Sequence, residues 1–360
     1  MEIKDIFLKL TEVDAPSGYE EPMMRHMLSE LTPLCDEVHI TPRGNVVGVQ
    51  KGTDDSAPSV AIEAHMDQVG FIVANIDDRG FIRFRRIGGA LERTLMGQHL
   101  RAVTDKGPVT GVIGLKPGHI TTPEEARTVP PIMSMFIDVG AKSREEVRSM
   151  GIDIGTPMVW AAPPVELANG LIASPGVDDK AGLTSLIAVA DLLKDEKIPS
   201  TVYYLAVVEE ENGLRGAYSV LYDLDVDMAV AIDTTSAGFQ PEVNMRDLYY
   251  EVGKGPAIHY GEQRRGGQVS VVHHHRVREW LKGAADAEGI PYQENFQFGG
   301  TDAGSMAKTR AGIPTASIAL PRRYSHSPIE AFYISDLEDL VKVLVAAIRG
   351  LRPGFSLSRA

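Results

Sequence analysis

The chain has 360 residues, 43% hydrophobic and 24% charged, enough apolar content for one large core and a smaller second one. Its formal net charge of -13 argues against nucleic acid or an anionic membrane as a partner. The single cysteine, Cys35, excludes an intrachain disulfide and a cysteine-based zinc knuckle.

The first segment, "DIFLKLTEV", spaces Ile6, Leu8 and Leu10 as a helix. Ser17 and Glu20 then read as a capping box that opens a second helix through "MMRHMLSEL". Short β-branched runs follow in "EVHI", "NVVGVQ" and "SVAIEAH". From about residue 71 to 162 the texture becomes that of a compact all-β module, with "FIVANI" and "FIRFRRI" joined by the turn "DDRG" and further strands at short spacing. Beyond it, helices around "AGLTSLIAVADLLK", "GAYSVLYDL" and "VREWLKGAADAEG" alternate with strands "TVYYLAVV", "DMAVAIDT", "YQENFQF" and "TASIAL". A last helix carries its own expected box, Ser335 to Glu338. Such alternation predicts a mixed, mostly parallel α/β sheet with helices on both faces, here interrupted by a small all-β domain of PDZ-like or barrel type. The expected division is 1–70 with 163–360 for the α/β part and 71–162 for the insert. Residues 1–20 show no basic segment followed by an apolar one, and no uncharged apolar run is long enough to span a bilayer. The expected location is therefore the cytoplasm, with no membrane partner.

In open α/β sheets ligands bind beyond the carboxyl ends of the strands. Read that way, "SVAIEA" ends in His65 and Asp67, "IASPGV" in Asp178 and Asp179, and "YYLAVV" in Glu209, Glu210 and Glu211. "MAVAI" ends in Asp233, and "TASIAL" runs through Arg322 to His326. Each of these has an ordinary explanation by itself, as a helix cap, a solvated helix start or a hydrogen-bonded loop histidine. Together they bring so many acids to one edge that only a cation would let them stay ionised. Histidine and carboxylate without cysteine suit zinc, cobalt or manganese in a hydrolytic role. The H-x-D spacing places Asp67 to accept the second ring N–H of His65. Of two adjacent glutamates, one can bind metal while the other takes a proton from water.

The motifs "AHMDQVGF", "DDKAG", "EEENGLRGA", "AIDT", "GGTDAG" and "RRYSHSPIE" occur in the order and spacing of the M42 metalloaminopeptidases, the glutamyl and tetrahedral (TET) aminopeptidase group, which this chain resembles over essentially its whole length. The resemblance implies a phosphorylase/hydrolase-like core and a co-catalytic pair of divalent metals, zinc first, with cobalt or manganese as alternatives. His65, Asp178 and Asp233 would hold one metal, and Asp178, Glu211 and His326 the other. Glu210 would be the general base and Asp67 the partner of His65, leaving Glu209 as an extra. It further implies short peptides as substrates, cleaved at their N-terminal residue, with "FGGTDAGSM" lining the pocket for the first side chain. The inserted β domain would mediate dimer contacts that build a homo-dodecamer.

Two departures from the family pattern are Lys180, where arginine is usual, and Asn212, where valine is common. The stretch "GEQRRGGQVSVVHHHRVREW" is also less typical. In it Arg264 and Arg265 could face an acidic substrate but read first as a solvated loop, and His273, His274 and His275 read as surface residues at a helix start. The alternative enzyme is a dinuclear M20-type deacylase or carboxypeptidase, a group whose insertion comes later in the chain, after the second glutamate. A glycosidase would need two metal-free carboxyls at a set separation. A scaffold that lost activity is disfavoured because all the expected ligand and base positions are present.

Overall fold

The computed structural model describes residues 2–243, 248–264 and 267–359. Helices α1 (Ile3–Thr11) and α2 (Glu21–Leu31) precede strands β1 (Glu37–Ile40), β2 (Val46–Gln50) and β3 (Val60–His65). Next come β4 (Gly70–Ile76), β5 (Ile82–Ile87), β6 (His99–Ala102), β7 (Val109–Ile113), β8 (Ile137–Asp138), helix α3 (Arg144–Ser149) and β9 (Pro157–Trp160). The chain continues through β10 (Val165–Glu166), β11 (Leu171–Ser174), α4 (Val177–Leu193), β12 (Val202–Val207), α5 (Arg215–Asp223) and β13 (Met228–Ser236). It closes with β14 (Ala257–Gln263), β15 (Val269–Val272), α6 (His275–Glu288), β16 (Gln293–Phe298), α7 (Asp302–Met306), β17 (Thr315–Arg322), β18 (Glu330–Tyr333) and α8 (Ile334–Gly350).

The main sheet has the order β1-β2-β12-β3-β13-β17-β14-β15, with β16 also paired to β14. Its centre, β12, β3, β13 and β17, is parallel, and β2 and β14 flank it antiparallel. Strand alternation sends Val60, Ile62 and Ala64 of β3 into the core shared with α1, α4 and α8, and Ala61 into the smaller core under α5 and α7. Helix α4 is apolar on nearly every side, so it is buried along most of its length between the sheet and other helices. β14 and β15 lie in a stretch for which the residue pattern predicts no strand.

The insert is a closed barrel, β4-β5-β8-β7-β6-β9. Closure removes the exposed sheet edges that six short strands would otherwise present. Phe71 stands edge-on to Phe84 and Trp160 at centroid distances of 5.6 and 5.2 Å in its core, contacts worth about 0.5–1.5 kcal/mol each beyond area burial. The barrel is tied to the α/β part by Arg101, which donates to both oxygens of Asp14 at 2.5 and 2.6 Å.

Four local expectations are corrected. Ser17 and Glu20 form no capping box: the Ser17 hydroxyl is buried without a hydrogen-bond partner, and the Glu20 carboxylate accepts the backbone N–H of Gly18 and of Glu209 instead. Ser335 caps nothing, because α8 begins one residue earlier, with Tyr333 at its N-cap. β11 belongs to a separate three-stranded sheet, β10-β11-β18, so Asp178 arrives in the first turn of α4 and not on a strand of the main sheet. β13 does not stop at Asp233 but continues to Ser236, paired with β17 as far as Arg322.

Candidate metal centre

The carboxyl ends of β12, β13, β16 and β17 and the start of α4 meet in one cavity of about 190 Å³, lined among others by Asp178, Glu210, Glu211, Asp233 and His326. The two oxygens of Asp178 serve two histidines: Oδ1 lies 3.2 Å from His65 Nε2, and Oδ2 lies 3.2 Å from His326 Nε2. Ligand atoms of His65, Asp178 and Asp233 lie within 4.8 Å of one another, as do those of Asp178, Glu211 and His326. Glu210 belongs to neither triad, although its Oε2 is 3.9 Å from His65 Nε2. All seven expected site residues are thus brought together.

The glutamate turn is organised through its main chain. Three successive N–H groups each meet a carboxylate: that of Glu209 donates to Glu20, that of Glu210 to Asp67 at 2.9 Å, and that of Glu211 to Asp67 at 3.0 Å. Asp67 therefore acts on His65 differently from the expectation. The His65 Nδ1–H donates to the main-chain carbonyl of Asp67 at 2.8 Å, and the Asp67 carboxylate stays 3.5 Å away because it is occupied by the glutamate turn. A carbonyl can only accept, so Nδ1 keeps its proton and Nε2, beside Asp178, is the ring nitrogen available to a metal. Glu209 takes a positive φ of 56° and turns away to Arg43, 2.5 Å distant, with Arg215 at 3.5 Å.

Electrostatics leave the cluster short of positive charge. Burial lifts the carboxyls of Glu210 and Asp233 well above the usual range, and their acidic neighbours add to the effect. Burial acts the same way on Asp178, but the Arg322 guanidinium with His326 and His65 more than offsets it and holds that carboxyl well below the usual range. Burial disfavours charge on His326, yet Asp178 and Glu211 outweigh it and lift the imidazole to about 10. Glu211 Oε1, although 3.2 Å from His326 Nε2, lies outside hydrogen-bonding geometry and is buried without a partner. Protons on acids and histidines, and an orphaned buried carboxylate oxygen, are what a site built for cations shows without them. Two triads of imidazole and carboxylate sharing one aspartate fit divalent metals of the zinc type.

Several residues of the site escape the sequence reading. Arg322 is buried and donates to Asp178 and, at 2.8 Å, to Thr234 Oγ1. Glu330 accepts the backbone N–H of Asp178 at 3.2 Å and of His326 at 2.6 Å, which ties the start of α4 to the His326 segment. An acid four residues past a candidate ligand histidine was the available signal. Glu63 is an acid flanked by apolar residues in β3, two before His65. Burial, then the nearby Asp302, push its carboxyl well above the usual range. From the barrel side, Gly88 and Gly89 close over the ligands: a Cβ on Gly88 would lie 3.2 Å from Glu211 Oε2, and one on Gly89 2.5 Å from His326 Nδ1.

A model of the M42 glutamyl aminopeptidase family matches residues 44–343. The chain belongs to the M42 family. The lysyl aminopeptidase of Pyrococcus furiosus is 34% identical to it over 355 residues, 97% of each chain. An aminopeptidase from the archaeon Desulfurococcus kamchatkensis shares its structure with a TM-score of 0.92 at 37% identity, over 98% of this chain and 96% of that one. The Pyrococcus horikoshii TET1 peptidase, described as assembling into a tetrahedron or a large octahedral shell, has a TM-score of 0.85 at 28% identity, over 97% and 100% of the two chains. This M42 protein is accordingly an aminopeptidase, a hydrolase acting on peptides. The M20-type alternative draws no support from these comparisons.

In this M42 chain the less typical stretch is only partly a solvated loop. Arg264 is exposed, and Arg265 lies outside the described residues. His273 and His274 are buried, against expectation, and only His275 is exposed. His273 Nδ1 is 3.1 Å from the His259 carbonyl, and its Nε2 faces Glu262 at 3.8 Å, so the triplet anchors the start of α6 on β14. Among the described residues no helix is long and apolar enough to cross a membrane.

Proposed function

We propose that this aminopeptidase removes the N-terminal residue of short peptides with two divalent metals per chain, one held by His65, Asp178 and Asp233 and the other by Asp178, Glu211 and His326. The shared placement of Asp178 between two triads, with Glu210 beside them and in neither, carries the reading. When bound, the ions supply Lewis acidity for the scissile carbonyl and ease the ionisation of water. Glu210 accepts a proton from the attacking water on its carboxylate and returns it to the leaving amine nitrogen. Asp67 holds Glu210 and Glu211 in place through their main-chain N–H groups. The carboxylates of the cavity receive the substrate's free α-amino group, which restricts cleavage to the first residue. Gln297, Phe298, Gly299 and Gly300 line the same cavity and form the wall for the first side chain.

The same reading divides the chain into a catalytic part, 1–70 with 163–360, and the barrel part, 71–162, which makes the contacts of a homo-oligomer of dodecamer type. A TET relative at 28% identity described as a dodecamer supports the size of that assembly. Zinc is the first choice of metal, with cobalt and manganese as alternatives, and the cytoplasm the place of action. A panel of aminoacyl p-nitroanilides, assayed on metal-stripped enzyme reloaded with zinc, cobalt or manganese, tests the activity. Turnover that depends on reloading supports it, and metal uptake with no turnover on any member of the panel contradicts it. Light scattering giving a monomer contradicts the assembly.

A further inference from the structure

A second cavity, of about 570 Å³, lies beside the metal centre and is lined among others by Arg43, Leu214, Arg215, Tyr218, Ser305 and Lys308. Its sign is opposite to that of both the metal cavity and the chain. Arg43 and Arg215 share the single carboxylate of Glu209, and Lys308 has no ion-pair partner among the described residues. Three cations against one anion leave two positive charges unbalanced, on a molecule of net charge -13. These side chains are not locked into the interior: those of Arg43 and Arg215 are 40% and 52% exposed, and Lys308 and Tyr218 are also exposed.

The two cavities are neighbours through one short turn. Gly213 and Leu214 both donate their N–H to the Glu210 carbonyl, at 2.9 and 2.8 Å. Leu214 Cδ1 would lie 3.7 Å from a Cβ on Gly300, which itself lines the metal cavity. Leu214 is only three positions on from Glu211, so the cationic pocket begins within about 10 Å of a metal ligand, the reach of roughly three extended peptide residues. A short peptide carries its positive amine at one end and its negative carboxylate at the other, and the two neighbouring cavities present the complementary charges. The rim is open to solvent and the volume is three times that of the metal cavity, which suits the free end of a chain better than an enclosed first side chain.

We propose that the Arg43–Arg215–Lys308 pocket takes a carboxylate on the leaving side of the substrate, two or three residues beyond the scissile bond. This rests on the aminopeptidase mechanism assigned above. The carboxylate could be the C-terminus of a short peptide or an acidic side chain at the same distance. Both offer one anionic, planar acceptor to guanidinium and ammonium donors.

The test compares X-Gly-Gly, X-Gly-Gly-amide and X-Gly-Glu-amide, where X is the residue cleaved best as its p-nitroanilide, with metal-loaded wild type and Lys308→Glu. The wild type is expected to show a KM about fivefold lower for X-Gly-Gly than for its amide, the scale of an exposed charge pair. That gap shrinks in Lys308→Glu and in added salt, while kinetics on X-p-nitroanilide stay the same. Recovery of the low KM by X-Gly-Glu-amide identifies any carboxylate at that distance as the ligand, and no recovery identifies the C-terminus. Equal KM for acid and amide in a wild type that turns over the p-nitroanilide overturns the proposal, as does a gap unchanged in Lys308→Glu. So does a Lys308→Glu variant whose preference among first residues changes instead. A wild type that cleaves no p-nitroanilide when loaded with metal fails the mechanism itself, a separate result.

Discussion

Gly89 stands so close to the imidazole of His326 that a Cβ there would lie 2.5 Å from Nδ1 and 3.0 Å from Cε1. The barrel thus forms part of the wall behind a candidate metal ligand. Gly89→Ala must push His326 off its position. It is expected to weaken metal binding at the Glu211–His326 triad by about 10–100-fold, as supporting residues around metal ligands do. Calorimetric titration of metal into the stripped variant checks this. Circular dichroism of the variant should match wild type, because the displaced atoms belong to a side chain and not to the core.

Asp67 spends its carboxylate on two main-chain donors, Glu210 N–H and Glu211 N–H. In Asp67→Asn one oxygen is replaced by an NH₂ group that cannot accept, so one part-buried N–H loses its partner at a cost of about 1 kcal/mol. The expected result is a lower unfolding midpoint together with a fall in kcat, since the base and a ligand both move. A variant with wild-type kcat would show that the turn holds itself.

The triplet should divide by residue. Glu210→Gln is expected to keep both metals and lose at least about a hundredfold in kcat, the contribution of a general base. Glu211→Gln loses metal. Glu209→Gln keeps metal and kcat on a p-nitroanilide and costs at most about 1 kcal/mol of stability, because its partners Arg43 and Arg215 are largely exposed. Elemental analysis and steady-state kinetics on the three variants separate the roles.

Most of the architecture is legible in the order of apolar runs. The switch from helix and strand alternation to closely spaced strands, and back, marks the barrel because each unit buries its own periodic face. The grouping of the candidate ligands is legible because strand ends in a parallel sheet share an edge, so His65, Glu211 and His326 need no long-range information to be brought together. What escapes is what depends on two distant segments facing each other. Glu20 looks like a local cap and instead holds the Glu209 main chain. Arg322 and Glu330 carry no local sign of burial and prove to be buried partners of Asp178 and His326. His273 and His274 read as exposed because helix starts usually are, and nothing local reveals that β14 lies beside them. The approach of Gly89 to His326 is of the same kind.

Glu20 also gives the molecule a pH dependence. Burial raises its carboxyl from an ordinary 4.5 to about 7, against the lowering pull of the Gly18 and Glu209 N–H groups. The folded state therefore holds a proton that the unfolded state releases between those values. Its contribution is fully present below about 4.5 and is lost as pH rises toward 7, on the order of 3 kcal/mol. Glu20→Gln keeps an acceptor oxygen for both N–H groups and removes the titration. At fixed metal loading, urea unfolding at pH 5 and pH 8 should show a smaller loss of stability for this variant than for wild type.

The central claim is that one aspartate joins two metal sites. The most direct measurement is the metal content of purified wild type and Asp178→Asn after reloading with zinc, by elemental analysis. The account predicts two ions per chain in wild type and loss of both in the variant, because each triad gives up a charged ligand. One ion per wild-type chain, or two retained in Asp178→Asn, would contradict it.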